Sequence, residues 1–164
     1  MNELGVWQYR VSRLLGRTIT RVAAFLTLGR MPPFVSTAAL ILDGNRILVV
    51  VDPIRNEPVL PGGHLKWAER PHDALVREVA EETGYDIEPQ DIVDVAAGQA
   101  RAGERGVVRL IYRARITGGT LTSSSEGEAT WLSLEEFAAS DTRDAPIARA
   151  ALLPDRPDGL PAGR

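Results

Sequence analysis

The chain of 164 residues is 44% hydrophobic and 25% charged, enough apolar material for one core and too short to call for a second full domain. It contains no cysteine, which excludes disulfides, zinc–thiolate centres and thiol nucleophiles and suits a reducing cytoplasm. A formal charge of −3 offers no overall basic surface to nucleic acid, although an acidic protein still takes an anionic small molecule when metal ions mediate.

That charge is unevenly spread. Residues 1–32 carry Arg10, Arg13, Arg17, Arg21 and Arg30 against Glu3, a balance of +4, so the rest of the chain stands at −7. Trp7, Val11, Leu14, Leu15, Thr18, Val22, Phe25 and Leu26 share one arc of a helical wheel, beside a stripe of four of those arginines. The reading is a basic amphipathic helix stopped at Pro32-Pro33. Its charges recur too often for a membrane span or a secretory signal. Three roles are open to it: packing on the domain or at a homodimer interface, lying peripherally on an anionic membrane surface, or standing partly disordered.

The main domain is expected over residues 33–153. Residues 35–42 and 46–52 are β-branched and aliphatic runs separated by Asp43-Gly44-Asn45, a hairpin signal. A helix is expected over residues 71–83: Pro71 suits its first turn, good helix formers fill it, and Gly84 stops it. Further strands are expected at residues 92–97, 107–116 and 130–132. Ser133 then caps a helix that carries Glu135 and Glu136 in its first turn and ends near Ala139. Residues 154–164, rich in Pro, Gly and Asp, read as a loose tail.

The chemistry concentrates between Gly63 and Tyr85. Gly63 is followed at fixed offsets by Glu69, Arg77-Glu78, Val79, Glu81-Glu82 and Gly84. On a helix, Glu78, Glu81 and Glu82 fall in one arc, while Leu75, Val76, Val79 and Ala80 lie on the other side. Clustered carboxylates repel, and a hard divalent cation resolves the conflict. Mg2+, with Mn2+ as substitute, matches a donor set of glutamates without cysteine. Pro61-Gly62-Gly63 allows a tight turn and close backbone approach, so a carbonyl there is a further candidate oxygen donor. A bare acidic helix face is commonly only a solvated surface. The ungapped pattern over 23 residues is far more specific.

That segment resembles the signature of the Nudix hydrolases, with every defined position present. The resemblance implies an α/β/α sandwich around a mixed sheet and Mg2+-dependent hydrolysis of a nucleoside diphosphate linked to another group. It also implies that Glu78, Glu81 and Glu82 bind metal with the Gly62 carbonyl, that Arg77 orients the helix carboxylates, and that Glu69 supports this network. The loop around Glu126 and Glu128 resembles the family's acidic loop before the last strand, so the general base stays open between Glu78 and that pair. The run from Pro61 to Glu69 looks most like compact members that act on nucleoside triphosphates or nucleotide sugars.

Other residues are read from chemistry alone. Arg101 and Arg105, in a loop between two strands, suit bidentate phosphate contacts. Lys66 and Trp67 either touch phosphate and base or cover the helix start. His64 and His72 suit surface or local hydrogen-bonding roles. Two rival functions are a Nudix-fold nucleotide-binding regulator without hydrolysis, and a membrane-peripheral hydrolase of a lipid-linked diphosphate anchored by residues 1–30.

Overall fold

The computed structural model describes residues 33–53, 56–97, 106–125 and 127–153. The expected N-terminal helix and the C-terminal tail lie outside the described residues. Within them, seven strands and three helices run in the order β1 (Phe34–Leu40), β2 (Leu42–Asp43), β3 (Arg46–Asp52), β4 (Glu57–Val59), α1 (Pro71–Thr83), β5 (Tyr85–Ala97), β6 (Val107–Gly119), β7 (Glu128–Ser133), α2 (Leu134–Ala139) and α3 (Ala145–Ala151).

The strands form two sheets. A mixed sheet has the order β1-β6-β5, with β1 parallel to β6 and β6 antiparallel to β5. An antiparallel sheet is centred on β3, which pairs with β2 and β4 along one edge and with β7 along the other. The turn at Gly44-Asn45 joins β2 to β3 as expected, with Asp43 opposite Arg46. The run over residues 35–42, read as one strand, breaks at Ile41 and changes sheets there, because its first half pairs with β6 and its last two residues with β3.

Both faces of the central strands are covered, which explains their unbroken apolar sequence. Side chains alternate across a strand. Ala38 and Leu40 of β1, Ile47 and Val49 of β3 and Ile111 of β6 therefore pack with Leu134, Phe137, Ala138 and Ala148 of α2 and α3. Ala39, Ile41, Leu48, Tyr112 and Ala114 face the opposite way, onto Leu75 and Val79 of α1. The result is a helix, sheet and helix sandwich.

Helix α1 matches its expected bounds. It buries Ala74, Leu75, Val79 and Thr83, and Gly84 ends it at φ 73°, its N–H donating to the Ala80 carbonyl at 3.0 Å. Thr120 and Thr122 donate backbone N–H groups to the carbonyls of Gly84 and Thr83, satisfying acceptors the helix end leaves open. Thr83, absent from the expected apolar stripe, is tolerated inside because its hydroxyl donates to the Val79 carbonyl at 2.7 Å.

Other bounds move. β5 begins at Tyr85 rather than at residue 92, despite Pro89, because it is an edge strand and a proline there costs no ladder bond; the register shifts beside it. β6 extends to Gly119, and β7 begins at Glu128, so Glu128 belongs to a strand rather than to the loop before it. Ser133 caps α2 as expected, accepting the Glu136 N–H. The seven-residue α3 was not expected. It is too short to show a helical period, and packing holds it: Ala145 and Ala148 are fully buried, while Arg149 donates to the carbonyls of Ala138 and Ser140 at 2.7 and 3.1 Å. No helix among the described residues is long and apolar enough to cross a membrane.

Candidate active site

The site forms where the turn after β4 meets α1. Three hydrogen bonds dock that turn on the edge of β1: Ala39 N–H to the Pro61 carbonyl, Thr37 N–H to the Gly63 carbonyl, and Leu65 N–H to the Val35 carbonyl, at 2.9, 2.8 and 3.1 Å. At Gly62 the approach is so close that only glycine fits. Gly62 adopts φ 144°, and a Cβ there would collide with the Thr37 carbonyl oxygen. A Cβ at Gly63 would fall on the Glu78 carboxylate. The glycines therefore bring backbone against both β1 and the acidic face of α1.

Arg77 organises that face. Its Nε and one terminal nitrogen grip both oxygens of Glu69 at 2.8 and 2.9 Å. The other terminal nitrogen reaches Glu78 at 2.7 Å and Glu81 at 3.3 Å. A 3.3 Å bond to the His64 carbonyl ties the same guanidinium to the turn. Only arginine's planar fork of donors can serve so many acceptors at once. Glu69 also accepts the Lys66 N–H at 2.7 Å, closing a short turn. The bond from Arg77, aided by the Lys66 peptide, holds the Glu69 carboxyl at about 2, well below its ordinary 4.5. In return the carboxylates raise the Arg77 pKa further above its ordinary value, Glu69 first.

Glu82 lies outside this hub and accepts the Gly62 N–H at 2.8 Å. One turn therefore touches the acidic face twice, at Gly62 through Glu82 and at Gly63 through Glu78. Beneath it, the Thr37 hydroxyl is buried without a hydrogen-bond partner.

The donors suit a hard divalent cation in kind, since Glu78, Glu81, Glu82 and the peptide oxygens of the turn are all oxygen ligands. Glu78 and Glu82 both border the Gly62-Gly63 backbone, whereas Glu81 is 57% exposed. No three acidic or histidine side chains among the described residues converge tightly enough to enclose an ion as they stand. Each carboxylate is drawn to a separate partner, Glu78 and Glu81 to Arg77 and Glu82 to the Gly62 amide.

The remaining sequence-derived candidates separate. Lys66 contributes its peptide N–H to Glu69 and leaves an exposed side chain. Glu128 is exposed at the start of β7, opposite Val51 of β3. Glu126, Arg101 and Arg105 lie outside the described residues. Trp67 is fully exposed at the tip of the turn. His72 packs edge-on against Tyr112 with ring centres 5.0 Å apart, and the Tyr112 hydroxyl is pushed above its ordinary range by burial.

Sequence reasoning missed Arg109 and Asp144, which hold the peptide of Leu60 at the start of the turn. Two signals pointed to them. Arg109 interrupts an apolar strand at a position in phase with the inward-facing Ile111, and Asp144 precedes Ala-Pro at a helix start.

Against known proteins, the family model described as the NUDIX domain matches residues 32–153. A "MutT-like protein" of Streptomyces ambofaciens is 36% identical over 109 residues, which cover 64% of this chain and 68% of that protein. An "8-oxo-dGDP phosphatase" of Homo sapiens is 33% identical over 101 residues; the match covers 58% of this chain but only 29% of the human protein's length. Among solved structures, a MutT NUDIX hydrolase from Burkholderia pseudomallei superposes with a TM-score of 0.64 at 26% identity, covering 75% of this chain and all of that one.

Proposed function

This chain belongs to the Nudix family and is a Nudix-type pyrophosphohydrolase, and we propose that it requires Mg2+ and acts on a nucleoside diphosphate derivative, a nucleoside di- or triphosphate first, with a nucleotide sugar as the nearest rival. The reading rests on the Arg77 hub, which gathers Glu69, Glu78 and Glu81 beside a glycine turn that also engages Glu82. The activity for which the human relative is named, 8-oxo-dGDP phosphatase, favours a substrate with a base over a sugar-only diphosphate.

Cleaving a phosphoanhydride needs charge neutralisation at the phosphoryl oxygens, an activated water and in-line placement. Glu78, Glu81, Glu82 and the Gly62 carbonyl would hold the cation, which when bound supplies charge neutralisation and lowers the pKa of a bound water. Arg77 keeps the carboxylates on one side of α1 and ties them to the turn through His64. Glu69 is not the candidate base, because both of its oxygens are taken by Arg77, which with the Lys66 peptide holds its carboxyl well below the ordinary range. It orients Arg77. Proton removal falls to Glu78 or to the Glu126 and Glu128 pair, and substituting each by glutamine separates them. Lys66, Arg101 and Arg105 are proposed to meet the phosphates.

The test is product release from a panel of nucleoside di- and triphosphates, oxidised deoxynucleotides, nucleotide sugars, ADP-ribose and prenyl diphosphates, with Mg2+, with Mn2+ and with chelator. Chelator-sensitive release of a nucleoside monophosphate is the expected result. Release unaffected by chelator would overturn the metal requirement, and a prenyl diphosphate as the sole substrate would transfer the reading to a lipid-linked compound.

A further inference from the structure

We propose that Asp144 and Arg109 are positioning residues for the active site, acting through the Leu60 peptide to set where the Gly62-Gly63 backbone meets Glu82 and Glu78; the catalytic part of this inference rests on the hydrolase reading above. Asp144 stands at the N-terminus of α3 yet makes no capping bond to its own helix. Its carboxylate, 2% exposed as a residue, instead accepts the Leu60 N–H at 2.8 Å across 84 residues of sequence. The other carboxylate oxygen accepts from Arg109, and a second nitrogen of Arg109 donates to the Leu60 carbonyl at 3.3 Å. Arg143, more than half exposed, adds a distant charge at 3.8 Å. The backbone of one residue, Leu60, is thus gripped at its N–H and at its carbonyl by a pair that is itself ion-paired.

A buried ion pair is a poor way to gain stability, because desolvating two charges offsets their attraction. Its yield here is geometric. Leu60 is the last residue before Pro61, and the next two residues carry the N–H that Glu82 accepts and the backbone against which Glu78 lies. The three β1 bonds fix the turn from one side, and the Leu60 clamp fixes its entry. Reacting groups displaced by an ångström can lose about 100-fold in rate, so a clamp two residues from the Glu82 contact at Gly62 and three from the Glu78 contact at Gly63 has leverage on turnover.

The experiment uses the full chain and two variants. Asp144→Asn keeps an oxygen acceptor for the Leu60 N–H. The double variant Arg109→Met with Asp144→Leu removes both charges together, so neither is stranded and the fold survives. Amide hydrogen exchange by NMR reads Leu60 and Gly62, with Val79 in the middle of α1 as internal control, and steady-state kinetics gives kcat and KM separately. In the double variant, exchange at Leu60 and Gly62 is expected to rise about 10-fold or more while Val79 is unchanged. The kcat is expected to fall about 10- to 100-fold, with KM within about 2-fold. Asp144→Asn should show a smaller change at both amides.

Unchanged exchange at Gly62 in the double variant overturns the proposal, whatever the kinetics. Faster exchange at Gly62 with full kcat overturns the catalytic part. If the wild-type protein hydrolyses nothing, the reading of function fails separately, and exchange at Gly62 alone decides whether the pair positions the turn.

Discussion

Two arginines hold the same turn by different means. Arg77 grips it from α1, at the protein surface, through the His64 carbonyl and Glu69. Arg109, itself part-buried, grips it from β6 through the buried Asp144 and the Leu60 carbonyl. All the partners of Arg77 lie within 13 residues of it, whereas Arg109 reaches 35 residues to Asp144 and 49 to Leu60. The surface hub gathers the carboxylates proposed to do the chemistry, and its charges stay partly hydrated. The interior clamp touches none of them and pays desolvation for both of its charges. A catalytic carboxylate must reach water and substrate, while the element that aims it can be buried.

The largest effect should come from the hub's acidic face. Glu78→Gln or Glu82→Gln is expected to lower kcat by about 10²- to 10⁴-fold with cooperative unfolding unchanged, read by turnover and thermal melts; near-normal turnover in both would remove the hydrolytic site from α1. Next comes the backbone that both arginines hold. Gly62→Ala places a Cβ against the Thr37 carbonyl oxygen at a φ of 144° that side chains avoid, and should cost about 2–4 kcal/mol of stability by denaturant titration.

Arg77→Lys keeps a positive charge but loses the fork, so kcat should fall about 10- to 100-fold; full activity would show that the carboxylates hold position unaided. The link between Arg77 and Glu69 also has a pH signature. Glu69 is depressed from 4.5 to about 2, so its contribution to stability is complete above its unfolded pKa and is lost as pH falls from about 4.5 toward 2. The stability gap between wild type and Glu69→Gln should therefore be flat from pH 5 upward, by about that pKa, and close on acidification. A gap that widens toward acid would contradict the assigned pair. The smallest change is expected at Trp67, which belongs to the hub's turn and yet is fully exposed: Trp67→Ala should alter unfolding free energy by less than about 0.5 kcal/mol.

The hub was legible because it is local. Glu69, Arg77, Glu78 and Glu81 are brought together by the pitch of one helix and a short turn, and those follow from residue spacing and from Pro71 and Gly84. A close backbone approach at Gly62-Gly63 was legible, since adjacent glycines announce it, but that Glu78 would lie against Gly63 was not. The hairpin at Asp43-Gly44-Asn45 and the Ser133 cap were readable for the same reason. The break of the first strand at Ile41 was not, because an apolar run carries no mark of which partner strand it will meet. Helix α3 escaped notice because its stability comes from Ala145 and Ala148 packed beneath α2 rather than from its seven residues.

What the sequence by itself determined is the acidic face of α1 and the glycine turn opposite, both products of short-range backbone geometry, with the role of Arg77 and the membership coming from the family resemblance of the segment. Only the tertiary structure decided that two sheets share the strands, that Glu82 takes the Gly62 amide, and that Asp144 and Arg109 close on Leu60. Those contacts join residues from 20 to 84 positions apart, and no local periodicity encodes them; they arise when both faces of the central strands are buried and every polar group taken inside must find a partner.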